Sequence, residues 1–311
     1  MAQPLIYGPF YEAIFRVNRR VRARLPILIA AFFVAPVGAQ MDLSGTWSIV
    51  ATQAVADAPE VGEYVGLPLN RAALRRAETW DAAIDSLPIW QCRPQVGAAS
   101  KQAASVLRIT QVADPRSREP AALRLEWSGS GDAQVFLDGR GHPPSFANHT
   151  ATGYSTGRWV DNALRIRTTH LKDGYYRANG APQSDRVQLT EYVIRRRFRG
   201  QNYLSWVVIA DDPIYLTEPL VVSSDYRYDP SGRVMPAPCS IVRPANGADS
   251  NVPSFMPGTN DQLGNFARSY DLPPRVIVDG AATMYPEYRR ALAEWRARGQ
   301  PTADGLSGDP R

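Results

Sequence analysis

Apolar and polar residues follow two different periods along this chain. Between residues 106 and 228 short runs alternate with period two. They are Val106 to Gln111, Leu123 to Trp127, Ala133 to Leu137, Trp159 to Leu171, Val187 to Arg197, Tyr203 to Ala210 and Leu220 to Tyr228. Clusters of Pro, Ser and Gly separate them, and no helical pattern intervenes. Such a series predicts a mainly β fold, an antiparallel β-barrel with a sandwich as the related possibility. Asp42 to Val50 adds an entry strand. Arg71 to Trp80 has helical spacing, with Asn70 as its N-cap, inside a mixed, Ala-rich insertion spanning 56–104. Residues 240–311 form an irregular extension, rich in Pro, Gly and Asn over 240–283. A terminal helix from Tyr285 to Arg298 starts at Pro286, and a loose tail follows.

The first residues obey neither period. Arg16, Arg19, Arg20, Arg22 and Arg24 precede an apolar stretch, Leu25 to Val37, and a small-residue exit at Gly38-Ala39. Basic, apolar and small, in that order, predict a signal peptide over 1–39 and a periplasmic or secreted single domain over 40–311. The apolar stretch is shorter than the roughly 20 residues a spanning helix needs, so no stable membrane span is expected after cleavage. An uncleaved anchor is the alternative. The leader also explains the charge. The whole chain carries +5, but without the leader's arginines the balance is nearly neutral, which removes nucleic acid as an expected partner. Apolar residues at 44% and charged residues at 21% are ordinary for a globular protein.

Two cysteines remain, Cys92 and Cys239. An even count in an exported chain points to a disulfide; two buried free thiols are the alternative. Neither has a neighbouring His that would make it a nucleophile.

The text Leu137-Asp-Gly-Arg-Gly-His142, His149-Thr-Ala-Thr-Gly-Tyr154-Ser-Thr-Gly-Arg-Trp159, Thr168-Thr-His170-Leu-Lys172 and Asp212-Pro-Ile-Tyr-Leu-Thr-Glu-Pro219 resembles a family of secreted bacterial β-rich proteins. The resemblance runs from about Trp47 to Tyr288 and implies no activity, cofactor or catalytic residue. Trp159-Val160-Asp161-Asn162 departs from that family's usual Trp-Glu-Gly-Asp. Gly45-Thr-Trp47 also resembles the entry strand of a lipocalin (calycin) barrel.

Candidate chemistry is concentrated in one stretch. The chain's three histidines, His142, His149 and His170, all fall between residues 142 and 170, with Asp138 just before them and Tyr154 among them. Imidazole is the side chain suited to proton transfer near neutral pH. Alternation puts His170 on the face shared by Leu164, Ile166 and Thr168. It puts Glu191 on the face shared by Val187, Leu189 and Val193. Both faces should point into the barrel, where His170 and Glu191 could form an acid–base pair or a satisfied structural pair. No compact metal signature, dinucleotide fingerprint or P-loop is present, so no cofactor or metal is expected. Gly153-Tyr-Ser155-Thr-Gly157 fits the letters of a nucleophile elbow, but a strand follows it where an elbow needs a helix.

The first functional expectation is an exported barrel enzyme. It would apply acid–base chemistry to a small hydrophobic or aromatic substrate, as a lyase, isomerase or hydrolase, through His170, His149, His142, Asp138, Glu191 and Tyr154. A non-catalytic carrier of a lipophilic ligand and a structural envelope protein are the alternatives. The partner is a small hydrophobic molecule, and the sequence leaves the oligomeric state open.

Overall fold

The alternating runs do become strands. The structure is a computed structural model that describes residues 41–52, 59–92, 97–98, 105–128, 132–236, 240–242 and 252–299. The expected signal peptide and Cys239 lie outside these residues. Strands β1 (Gly45–Thr52), β2 (Val106–Ala113), β3 (Pro120–Trp127) and β4 (Ala133–Phe136) are followed by β5 (Tyr154–Val160) and β6 (Ala163–Thr169). A small hairpin comes next, β7 (Gly174–Arg177) and β8 (Ala181–Gln183). Then come β9 (Gln188–Phe198), β10 (Gln201–Asp211) and β11 (Leu220–Tyr228). Nine of them close into a barrel in the order β1-β11-β10-β9-β6-β5-β4-β3-β2, and β7 pairs with β8 alone.

The barrel is antiparallel as expected, with one departure. β4 and β5 are parallel neighbours, joined by the pairs Val135↔Ser155 and Phe136↔Thr156. Consecutive parallel strands need a long connection to bring the chain back, and residues 137–153 supply it. Another difference concerns Trp159 to Leu171, which reads as one strand but folds as two. Val160 pairs with Ala163 around a two-residue turn, with Asp161 in the left-handed region (φ 53°). The arginine-rich end of β9 is a hairpin tip. Phe198 pairs with Gln201, and Arg199 and Gly200 both adopt positive φ, as a tight primed turn requires.

Inward residues fill the barrel. Trp47, Leu107, Ile109, Leu125, Leu164, Ile166, Leu189, Leu204 and Tyr226 are all buried in one cluster. Trp127 and Trp206 meet edge to face at 6.0 Å. The hairpin β7–β8 is pinned to the barrel through buried Asp212, which accepts from the Ser184 hydroxyl (2.6 Å), the Ser184 amide (2.8 Å) and the Tyr176 hydroxyl (3.2 Å).

Helix α1 (Arg71–Glu78) packs against β8, outside the barrel's own strand order. It is capped as expected, Asn70 accepting from the Ala73 amide. Helix α2 (Pro88–Gln91) follows. In the C-terminal part, short 3-10 turns alternate with α3 (Asn265–Ser269), and the terminal helix α4 spans Pro286–Ala297. Contacts between residues 60–80 and 255–283 hold this layer. A Cβ at Gly62 would run into the Leu263 carbonyl, so the close approach there requires glycine. The Gly66 amide donates to Thr283 Oγ1 (2.8 Å), and Asn260 Nδ2 donates to the Glu78 carbonyl (3.0 Å).

Candidate functional site

The three histidines come together, but on the outside of the barrel. In β5 the buried Ser155 alternates with Tyr154 and Thr156, and in β6 the buried Thr168 alternates with Arg167 and Thr169. Thr156 and Thr169 therefore face outward, and the loop 137–153 lies over them. His142 Nε2 is 2.9 Å from Thr156 Oγ1, and its Nδ1 is 2.8 Å from Thr169 Oγ1. His170 Nδ1 is 2.7 Å from the same Thr169 hydroxyl, and its Nε2 is 3.0 Å from the Pro144 carbonyl. His149 Nδ1 is 2.8 Å from the Leu171 carbonyl, and its ring lies 5.2 Å from that of His170.

Carbonyl oxygens only accept, which fixes every proton in this chain for neutral imidazoles. His170 must carry its proton on Nε2, so its Nδ1 accepts from the Thr169 hydroxyl. Thr169 then accepts from His142 Nδ1–H, and His142 Nε2 accepts from the Thr156 hydroxyl. His149 likewise donates from Nδ1, which leaves its Nε2 as the basic nitrogen. The result is a one-way relay from the wall at Thr156 to the loop at Pro144. Burial holds the His142 imidazole below its ordinary value, with Arg167 and His170 adding to the effect.

Tyr154 and Asp138 join the edge of this cluster. The Tyr154 ring stands 5.6 Å from His142 and 5.2 Å from Phe136. Asp138 is tied to Arg140, whose Nε lies 2.9 Å from each carboxylate oxygen and whose guanidinium covers Phe136 at 3.9 Å. That hydrogen bonding holds the Asp138 carboxyl below the usual carboxylate range. Asp138 is thus held by Arg140, which interacts in turn with Tyr154 beside His142.

Glu191 stands apart from all of these. It is fully buried inside the barrel, accepting from Trp206 Nε1 (2.7 Å) and Thr168 Oγ1 (3.0 Å), with Ser155 Oγ 2.8 Å from Thr168. His170 does not join it, contrary to the expectation of an inward pair. The strand ends at Thr169, and His170 takes a left-handed backbone (φ 57°) that swings its ring out of the alternation to the loop. Ser155 is an interior strand residue, so the elbow-like text is not an elbow. Among the described residues, no three His, Cys, Asp or Glu side chains converge as a metal-ligand set.

A different feature has room for a molecule. A groove of about 800 Å³ runs between α1 and the C-terminal layer. Leu69, Leu74, Leu263, Ile277, Val278 and Ala282 supply its apolar walls, and Tyr64, Arg71, Arg75, Glu78 and Asp279 its polar points. Tyr64 is buried, and its hydroxyl lies near the Gly62 backbone without a partner at hydrogen-bond geometry. Burial pushes its phenol up to about 12, and the Glu78 carboxylate adds to the rise. The sequence announces one wall, the helix with Leu74 between Arg71 and Arg75. It does not announce the other, because 3-10 turns leave no periodicity.

No protein-family profile, no curated protein and no solved structure matches this chain, so these side chains are the whole basis for its function.

Proposed function

We propose that this is a non-catalytic β-barrel protein that carries a small lipophilic molecule, held in the groove between α1 and the C-terminal layer. The single observation behind the proposal is the groove itself, an apolar cleft of a size suited to one small ligand. The inward His170–Glu191 acid–base pair loses its geometric basis. The imidazoles and Glu191 are on opposite sides of the barrel wall, and both ring nitrogens of His142 and of His170 are already engaged in holding the loop. The barrel interior is occupied by its own side chains, which is why the ligand is assigned to the groove rather than to the lumen.

Export belongs to the same proposal. A leader over 1–39 cut after Ala39 and a Cys92–Cys239 disulfide suit a carrier working outside the cytoplasm. N-terminal sequencing of protein recovered from a periplasmic extract should begin at Gln40; a chain retaining Arg16 to Arg24 would refute export with cleavage.

The groove is tested with N-phenyl-1-naphthylamine, a neutral apolar fluorophore that brightens on leaving water. It should bind the unaltered protein, and Ala282→Trp or Val278→Trp should weaken binding by at least about tenfold. Both positions are exposed on the groove, so the indole enters the cleft without disturbing the core. Binding that is absent, or indifferent to both substitutions, would overturn the carrier.

A further inference from the structure

The charges along the groove are not balanced. Arg71 and Arg75 are one helical turn apart on the exposed face of α1, and both line the cleft. Among the described residues, neither guanidinium has an ion-pair or hydrogen-bond partner. The two carboxylates of the groove are both engaged. Asp279 accepts from Arg275 Nε (3.0 and 3.1 Å) and from the Tyr288 hydroxyl, and Glu78 accepts from the Gly258 amide. Glu78 lies about 10 Å along the helix axis from Arg71 and about 4.5 Å from Arg75, at 1.5 Å per residue. The cleft therefore presents free positive charge along α1, from Arg71 at its first residue to Arg75 in its last turn, together with apolar walls.

We infer that the groove takes a free single-chain amphiphile with an anionic head. The head would sit at Arg71 and Arg75, and the tail would lie against Leu74, Leu263, Ile277 and Val278. This rests on the carrier reading and adds the chemistry of the head. The Tyr64 hydroxyl stays a neutral donor, since its phenol is pushed up to about 12.

Three ligands that share one tail make the test: decanoate, 1-decanol and decyltrimethylammonium, titrated calorimetrically against the full chain in low and moderate salt. Decanoate should bind about tenfold more tightly than decyltrimethylammonium, as two exposed charge contacts allow. That advantage should shrink as salt shortens the screening length to about 10 Å at 0.1 M. In the doubly substituted Arg71→Gln/Arg75→Gln protein it should fall to about threefold or less, with 1-decanol binding unchanged. Equal affinities for all three ligands would overturn the anionic head and leave the carrier standing. So would a decanoate advantage that survives the double substitution. No binding of any ligand would overturn both. Capture by phosphatidylglycerol vesicles without binding of monomeric decanoate would replace the free ligand with a membrane surface. Both arginines are exposed, so the substitutions should leave the melting temperature unchanged, and that measurement guards against misreading an unfolded variant.

Discussion

His170 and Glu191 belong to neighbouring strand systems yet stand on opposite sides of the barrel wall. Ile166 of β6 pairs with Glu191 of β9, whose carboxylate points inward; four residues after Ile166, His170 has left the strand and faces the outer loop. Different threonines serve them, Thr168 donating to Glu191 and Thr169 to His170.

Removing each should therefore cost stability independently. Glu191→Gln puts an amide N–H among donors inside the barrel and should cost about 1–3 kcal/mol. His170→Ala loses two hydrogen bonds at a half-buried site and should cost about 1–2 kcal/mol. In a double-mutant cycle by chemical denaturation the two should add to within about 0.5 kcal/mol. A coupling above 1 kcal/mol would show that they act as a pair after all.

The proton arrangement of the relay can be read by nitrogen NMR of the imidazoles at pH 8. His142 and His149 should appear as the Nδ1–H tautomer and His170 as the Nε2–H tautomer. His170 protonated on Nδ1 would contradict the chain of donors. Thr169→Val keeps the shape and removes the shared hydroxyl, so it should cost about 1–3 kcal/mol by stranding both imidazoles.

Acid should loosen the same loop. His142 is held below the ordinary imidazole value of about 6.5 in the folded chain, so between the folded and unfolded values the unfolded chain binds more protons, and stability rises with pH. The stability is fully present above about 6.5 and is lost as pH falls from there toward the folded value. Carboxylates lowered by hydrogen bonds, such as Asp138 and Asp229, add losses of the same sign only at more acidic pH. Denaturation between pH 7.5 and 5 should show this slope in the unaltered protein. The slope should be reduced in His142→Gln; an unchanged slope would mean that another group is responsible.

Gln91 and Val242 bear on the proposed Cys92–Cys239 disulfide. The Gln91 amide donates to the Val242 carbonyl (2.7 Å) and accepts from its N–H (2.7 Å), so the residue beside Cys92 is held against the chain just beyond Cys239. Unfolded, unreduced protein should show no thiol reactive to a maleimide. Reduction should lower stability by roughly 4–5 kcal/mol in the chain-closure view. Two reactive thiols per chain would refute the pairing.

The barrel was legible in the sequence because one buried face per strand leaves a period of two, and Leu164-Arg-Ile-Arg-Thr168 shows it plainly. Asn70 and Pro286 marked the helix starts for equally local reasons. The turn at Asp161-Asn162 interrupts an apolar run without a glycine or proline, so β5 and β6 merged into one strand. The site was harder. Crowding of three histidines is visible in one dimension and they do assemble, but their side of the wall hinges on a single left-handed residue at position 170. Arg71 and Leu74 meet Ile277 and Val278 only through tertiary packing, which a single chain of letters does not encode by spacing.

The parallel pair β4–β5 makes the barrel a zipper with one short row of teeth. Elsewhere the strands meet along extended antiparallel ladders, as in β9–β10, whereas this join has two residue pairs and the loop 137–153 strapped across it by the histidine relay. Thermal opening should begin there, detaching β4 from β5 and baring Val135, Gly157 and Trp159 before the other strands part. In hydrogen exchange, the β4 and β5 amides that bridge the join should exchange ahead of those of β9 and β10, and faster still once acid has unfastened the strap.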